Sequence, residues 1–504
     1  MEKATKDFAG VLFVGEERIC RQVAYVLNIE NYEIVSDLIT NNNLKFHDYQ
    51  IYICQFKHKS KGLIKKKIKK EKNIKYLDDI CRLIDKECAV RKKRNKKNLR
   101  NDLYGISFWG SFKLKMNHLF SVIFMRLVLI KHYFRKFFRI GKSCNEIPKL
   151  KYLRYLRGIK PSKLFLYVLN APVNKNVNCN LTETELQITK IGEVRGCSGL
   201  VVAFGNLFYD GELLDVYQSI YARIIKLSSL NGSYCLCNLN GWCPYNGSGK
   251  ENDSNKSFAD NLSVPQAISV GIDQTCNLCC KSCRNKRYTM NEIGQIRTSV
   301  CADKLKRSGY LDRTERLVVA VQGEVFYSPY YRQLLETEIQ RESICIFSNG
   351  TLFNEENWNW IKDKYKTIDV IISVDAATAE TYQNVRGANF NQLLKNLKML
   401  AGLHHQGKIR NFKINFVVQR DNYHEMPKFV ELGKSLGVDT VEFLRMNNFG
   451  NQSKKQFLKR CMIVNDKYLE FELWQVLQNP IFKDPIVDLR IIQPYIEVSN
   501  ELYK

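Results

Sequence analysis

GIDQTCNLCCKSCRNK (271–286) gathers four of the chain's seventeen cysteines within eight residues. An apolar run at 264–272 leads into it and reads as a strand, and basic residues follow. A strand that ends in a tight loop of thiols offers soft ligands to a metal. Two spacings can be drawn through it. As two CxxC pairs, Cys276/Cys279 and Cys280/Cys283, it suggests zinc. Zinc knuckles, however, separate their pairs by roughly a dozen or more residues, so that each pair folds its own turn before the two converge. As C-x3-C-x2-C, Cys276, Cys280 and Cys283 become three thiolates wrapping one cluster, and Cys279 is a bystander. Three ligands on a four-iron cluster leave one iron open, which suits catalysis.

Downstream the pattern is regular. Apolar strands are expected at 269–273, 316–323, 343–348, 368–374, 412–419 and 440–446, with helices at 330–338, 355–365, 391–403 and 426–436. Near-continuous apolar strands with short loops mean a parallel sheet covered by helices. Six βα units predict a partial (β/α)6 TIM-like barrel over 261–460, with 461–504 as an extension packed on it. Ligands then gather at the carboxyl ends of the strands, where the cysteine loop also lies.

Those strand ends carry a consistent set of residues. After the second comes VQGEV (321–325): Gly323 lets backbone approach a ligand, and Glu324 can accept bonds from an ammonium group. The third ends in SNGT (348–351), a polar turn that includes Ser348 and Asn349. The fourth ends in SVDA (373–376), where Ser373 and Asp375 suit ribose oxygens, and Arg386 in NVRGANF (384–390) suits a carboxylate. The fifth, FVVQRDNYHEM (416–426), presents Val418 and Gln419.

In this order, after C-x3-C-x2-C, these residues resemble the radical S-adenosylmethionine (radical SAM) superfamily. VQGEV stands where that family has GGEP, without the first glycine and the proline. Ser282 replaces an aromatic residue common before the third cysteine. The resemblance implies an enzyme in which Cys276, Cys280 and Cys283 hold a 4Fe–4S cluster. S-adenosylmethionine would bind at its open iron, among Gly323, Glu324, Ser348, Asn349, Ser373, Asp375, Arg386 and Val418. Reductive cleavage would release a 5′-deoxyadenosyl radical that takes hydrogen from a peptide, sugar or other small substrate. It also implies reduced ferredoxin or flavodoxin as electron donor. Cys301 and Cys461 are candidate thiol hydrogen donors, though buried structural cysteines are the plainer reading of both.

A second cysteine set precedes the barrel, in a small α+β module expected over 164–260. LTETELQITKIGEVRGC (181–197) reads as a hairpin turning at Gly192 that brings Cys179 and Cys197 together. A helix at 214–230 then leads to NGSYCLCNLNGWCPYN (231–246). This order resembles the SPASM or twitch modules of radical SAM enzymes, which usually follow the barrel. By that resemblance Cys179, Cys197, Cys237 and Cys243 hold an auxiliary 4Fe–4S cluster, with Cys235 the alternative to Cys237. The same four thiolates could instead staple a zinc subdomain.

Residues 1–90 alternate strand and helix as a Rossmann-like βαβ domain. Its first turn, VGEERIC (14–20), has one glycine where a dinucleotide fingerprint needs three, and two acids lie where a pyrophosphate would sit. With Asp37 as the ribose candidate, a docking role outweighs nucleotide binding. Residues 91–163 form a basic linker and helical segment. RKKRNKKNLR (91–100) is a charge run, and 107–142 interleaves apolar and aromatic residues with Arg and Lys. An inter-domain helix is the first reading of that strip. Its snorkelling flanks favour an anionic membrane surface over nucleic acid as the next.

The whole chain sets bounds on these readings. Its 504 residues bury ample core without disulfides. Lys+Arg 78 against Asp+Glu 51 leaves +27, the excess lying mostly outside the cysteine-rich half. Neither a secretory leader nor about 20 uninterrupted apolar residues is found, so the cysteines are read as thiols and metal ligands in a reducing cytoplasm, with peripheral membrane association through 107–142. Two rivals follow: a non-catalytic zinc or iron–sulfur protein docked to membrane or nucleic acid, and an RNA-modifying radical SAM enzyme.

Overall fold

The computed structural model describes residues 10–14, 17–27, 33–35, 49–53, 74–76, 80 and 82–86, and then 160–503 except 176, 178, 239–242, 244–263, 285–287, 289, 320, 337–340, 449–451 and 466. The strip at 107–142 and the nucleotide candidate Asp37 lie outside these residues. The chain divides into two compact units, one holding Met1–Thr184, Glu193–Cys237 and Tyr245–Ser263, the other Glu185–Gly192, Asn238–Pro244 and Val264–Lys504.

The first unit opens with four short parallel strands, β1 (Gly10–Val14), β2 (Glu33–Val35), β3 (Tyr49–Ile53) and β4 (Ile74–Tyr76), in the order β2-β1-β3-β4. Helix Glu17–Leu27 connects the first two and buries Cys20, Val23, Ala24, Val26 and Leu27. Helix Ile220–Leu230, capped by the Ser219 side chain accepting from Ala222 N–H, packs against it. Arg223 Nε donates to Val26 C=O at 2.8 Å, and Asn231 Nδ2 reaches Val168 C=O at 3.0 Å. Helices from the stretches 1–90 and 164–260, expected as separate domains, thus pack together in this unit.

β5 (Glu185–Thr189) departs from the sequence expectation. Gly192 does make the turn, at φ 74° with its N–H on Thr189 C=O at 2.8 Å. The strand before it nevertheless belongs to the second unit, paired in parallel with the first strand of the expected barrel. Its alternation, with Leu186 and Ile188 buried, meets an open parallel edge there. β6 (Glu193–Arg195) and β7 (Gly205–Asn206) form an antiparallel pair in the first unit.

The second unit holds the predicted strands: β8 (Ala267–Gly271), β9 (Arg316–Val319), β10 (Arg341–Ser348), β11 (Tyr365–Ser373), β12 (Asn411–Val418) and β13 (Thr440–Arg445). β14 (Ile463–Val464) and β15 (Tyr468–Leu469) make a small hairpin, and β16 (Val487–Asp488) adds to the main sheet in parallel with β13. The order β5-β8-β9-β10-β11-β12-β13-β16 is parallel throughout, and the architecture is a partial TIM-like barrel. β-branched runs such as TIDVIIS in β11 suit strands buried on both faces.

Helices cover one face. Phe416 of β12 and Phe443 of β13 meet Phe429 of helix Met426–Leu436, ring centroids 4.9 and 6.0 Å apart. A Cβ on Gly433 of that helix would lie 2.3 Å from Val441 Cγ2, so glycine permits this close packing. Caps fix the helix ends: Thr378 opens Ala379–Arg386 by accepting from Thr381 N–H, and Gly387 closes it at φ 68°.

Candidate active site

The cysteine loop starts from a buried carboxylate. Asp273 is fully buried; its Oδ1 accepts from Thr275 N–H and Oγ1, both at 2.7 Å, and its Oδ2 from Ser328 Oγ. The Tyr331 hydroxyl accepts from Asp273 N–H at 3.2 Å and shares its proton between the Asp273 and Gln322 carbonyls, at 2.9 and 2.8 Å. This knot holds the end of β8 against the turn after β9. Gly323 lies there at φ 82°, and a Cβ on it would stand 2.6 Å from Asp273 O and 3.0 Å from Thr275 O. Gly323→Ala is expected to cost about 1–3 kcal/mol, read as a lower urea midpoint.

Beyond the knot, Cys276 and Cys280 are buried, Cys283 is half-buried and Cys279 is exposed. Cys283 and Arg284 N–H both donate to Cys280 C=O at 3.0 Å, and Lys281 N–H ties the turn to Val385 C=O at 3.0 Å. Each of the three candidate ligands faces a donor. Asn349 Nδ2 lies 3.7 Å from Cys276 Sγ, Arg386 Nη1 3.4 Å from Cys280 Sγ, and Arg284 Nε and Nη2 3.4 Å from Cys283 Sγ. Such donors favour thiolate, the ligating form. Burial pushes the Cys280 thiol up to about 11, with Arg386 acting against it.

The strand-end residues fall into two connected groups. In the first, Glu324 is fully buried, its Oε1 accepting from Ser348 Oγ and its Oε2 from Asn349 N–H, both at 2.7 Å. Asn349 Nδ2 also reaches Asn277 Oδ1 at 2.8 Å, and Asn277 Nδ2 reaches Thr351 Oγ1 at 2.9 Å. Glu324, Ser348 and Asn349 thus brace the cysteine loop as a chain of hydrogen bonds.

Burial pushes the Glu324 carboxyl up to about 7, against the pull of the Asn349 and Ser348 bonds. A carboxyl that keeps its proton in the fold after the unfolded chain has ionised makes stability fall with rising pH. The fall should run from the ordinary glutamate range through about 7. Glu324→Gln should flatten that part of the profile, measured as urea midpoints of the cluster-free chain.

In the second group, Asp375 is fully buried at φ 65°, in the left-handed region. Its Oδ1 accepts from Val417 N–H at 2.7 Å, and Arg386 Nη2 pairs with Oδ2 at 2.8 Å. Read from the sequence as a ribose contact, Asp375 is instead turned inward: its oxygens strap β11 to β12 and hold Arg386 beneath Cys280. Ser373 stays half-buried, and Val418 is buried beside Arg445, Met446 and Cys461 in a small pocket.

Sequence reasoning missed Arg284, Asn277, Tyr382 and Glu425. Arg284 was legible as the residue after the third cysteine. Glu425, whose carboxylate accepts from Ala377 N–H at 2.7 Å and Thr378 N–H at 3.2 Å, acts from a different strand end.

Among the described residues, no three His, Cys, Asp or Glu side chains converge tightly enough for a single metal ion. A multi-iron cluster is broader than an ion and asks its thiolates to stand further apart. Buried polar atoms around the loop support a fit. The Tyr382 hydroxyl, Arg386 Nε and both amide atoms of the fully buried Gln419 have no hydrogen-bond partner among the described residues. Buried polar groups of this kind want a partner, and a bound polar molecule would supply one.

In the first unit, the Tyr234 hydroxyl accepts from Cys179 N–H and donates to Cys179 C=O, both at 3.0 Å. Cys237 N–H returns to Tyr234 C=O at 2.9 Å, and Leu200, three residues after Cys197, bridges to Cys237. The backbone thereby joins the Cys179, Cys197 and Cys237 segments. Cys235 turns instead toward Ser233, whose Oγ is 3.4 Å away. Cys243 belongs to the second unit.

No family model matches the chain. Mycofactocin maturase MftC of Mycobacterium ulcerans is 27% identical over 198 residues, 39% of this chain and 51% of that protein. The AdoMet-dependent heme synthase of Methanosarcina barkeri is 25% identical over 198 residues, 38% of this chain and 54% of that one. These similarities join a C-x3-C-x2-C loop at the carboxyl end of the first repeat strand of a partial barrel. Over this stretch the chain is similar to both proteins. It spans about half the length of the curated relatives it matches. Among solved structures, Streptococcus suis SuiB bound to precursor peptide SuiA is similar over 62% of this chain and 72% of that one, with TM-score 0.34 and 13% identity. No described helix is long and apolar enough to cross a membrane.

Proposed function

We propose that the chain is a radical SAM enzyme in which Cys276, Cys280 and Cys283 hold a 4Fe–4S cluster. One observation carries the reading: these three cysteines pack together after a strand end, each faced by a donor, while Cys279 is exposed. Bound there, the cluster would supply the electron that cleaves S-adenosylmethionine and releases a 5′-deoxyadenosyl radical able to take hydrogen from substrate.

The chain's own residues bind and orient. Glu324 has acceptor capacity for an ammonium group, Ser373 for ribose, and the Gln419 amide for a polar base edge. Arg386, held by Asp375, leaves Nε for a carboxylate. Val418 gives an apolar wall. Reduced ferredoxin or flavodoxin is the electron donor, and the substrate is a peptide or other small molecule, SuiB being described with a precursor peptide. Cys179, Cys197 and Cys237 are the proposed first-unit ligands of an auxiliary cluster. The tether through Tyr234 and Leu200 supports Cys237 over Cys235.

The test is anaerobic reconstitution with iron and sulfide, followed by dithionite, S-adenosylmethionine and assay for 5′-deoxyadenosine. Its formation supports the enzyme reading. A fully loaded, reduced sample that makes none overturns it in favour of a non-catalytic metal-binding protein.

A further inference from the structure

In the barrel, residues paired across parallel strands share a face. Ile372, Ile414 and Val441 are one such row; it is apolar, fully buried, and Val441 and Ile414 lie under helix Met426–Leu436. The next row upward faces the opposite way, into the barrel lumen. It reads Ser373, Asn415, Glu442 and Asp488 across β11, β12, β13 and β16. Four polar residues side by side are unlike the branched apolar layers that fill a closed barrel.

Two of the four are neutralised. Glu442 has Lys413 at 3.7 Å, and Asp488 has Arg490 at 2.5 Å. Asn415 is not. Its residue is 4% exposed, and its Oδ1 is buried with no hydrogen-bond partner among the described residues. A buried acceptor left bare costs about 1–3 kcal/mol, so its retention on the lumen face points to a ligand that donates to it.

We infer that Asn415 is a specificity-determining residue, and that the molecule yielding hydrogen in this barrel presents hydroxyl, amide or ammonium donors to the Asn415–Glu442 wall. The inference rests on the proposed function. If ribose lies on Ser373, the neighbouring strand, about 4.8 Å away, presents Asn415 beside it. Whatever occupies that space meets the bare Asn415 oxygen. An acceptor-only or wholly apolar molecule would leave Asn415 unpaired.

The experiment uses the full reconstituted chain with S-adenosylmethionine and dithionite, given equal concentrations of perdeuterated glycerol or perdeuterated tetrahydrofuran. The first bears donors; the second is an ether that only accepts. In the step read out, the C5′ radical takes a deuterium atom, forming one C–D bond and leaving a carbon radical on the probe. That radical gains an electron from dithionite and a proton from water. Deuterium in 5′-deoxyadenosine is measured by mass.

Glycerol should label it about fivefold more than the ether, the worth of roughly one hydrogen bond. In Asn415→Leu the ratio should fall toward unity, while Asn415→Asp, which keeps an acceptor, should retain it. Equal labelling in the unaltered chain overturns the inference but leaves the enzyme reading standing. So does a ratio unmoved in Asn415→Leu. If Asn415→Leu does not fold, the unaltered chain and Asn415→Asp still decide: loss of the preference in Asn415→Asp overturns it. Absence of any 5′-deoxyadenosine removes the reading beneath it, and the inference falls too.

Discussion

Cys280→Ala, reconstituted anaerobically, should lose its cleavage of S-adenosylmethionine to background, while Cys279→Ala cleaves at the rate of the unaltered chain. The two residues are neighbours, so the contrast isolates orientation. Cys280 is 6% exposed, 3.4 Å from Arg386 Nη1, and its carbonyl closes the turn that carries Cys283. Cys279 is exposed and its thiol reaches back only to Arg284 C=O, 3.9 Å away. It cannot substitute without unwinding a turn held by two backbone bonds. Losing an outer-shell partner of a metal ligand costs about 10–100-fold in affinity or activity, and losing the ligand itself should exceed that. The measurements are 5′-deoxyadenosine formation and iron content. Equal retention of both in the two variants would remove Cys280 from the ligand set.

Arg386→Ala should carry the largest stability loss in the barrel, about 3–5 kcal/mol, because it strands a buried carboxylate. Asp375 is fully buried and the Arg386 side chain 9% exposed, so water can replace neither partner. Burial works against the guanidinium's charge, but Asp375 and Cys280 hold it firmly protonated. Urea unfolding of the cluster-free chain reads the loss without reference to activity. A companion with both charges removed, Asp375→Asn with Arg386→Leu, should recover most of it, since the stranded charge is then absent. If the single and double variants lose equally, the pair is not what holds the ends of β11 and β12 together. Fast-cleaving enzyme with Arg386→Ala would likewise separate its structural role from carboxylate binding.

Much of this was legible one residue at a time. Runs such as ICIFS and VIIS can only be buried strands, and their repetition with helices between them dictates a parallel sheet. The C-x3-C-x2-C spacing set the candidate ligands apart from a zinc knuckle before any geometry. Gly323 was legible too, because a glycine at a strand end next to a ligating loop implies close backbone approach. β5 was not. Period-two alternation says that a strand has one buried face but not which edge it joins, and the exposed edge of β8 lies 78 residues away in sequence.

The fate of Asp375 was decided by tertiary structure. An acid at the end of a barrel strand is chemically suited to a ribose, and nothing local reveals that Val417 N–H and Arg386 claim its oxygens first. Asn415 was invisible for the converse reason: a single Asn inside KINFVV reads as one polar residue on a strand. Only cross-strand register sets it in a row with Ser373 and Glu442. The sequence by itself determined which residues are chemically able to ligate, donate and accept, because that is a property of side-chain type and spacing. Which of them are already satisfied by one another, and which remain bare toward the lumen, only the tertiary structure decided, because hydrogen-bond satisfaction depends on neighbours brought together from distant strands.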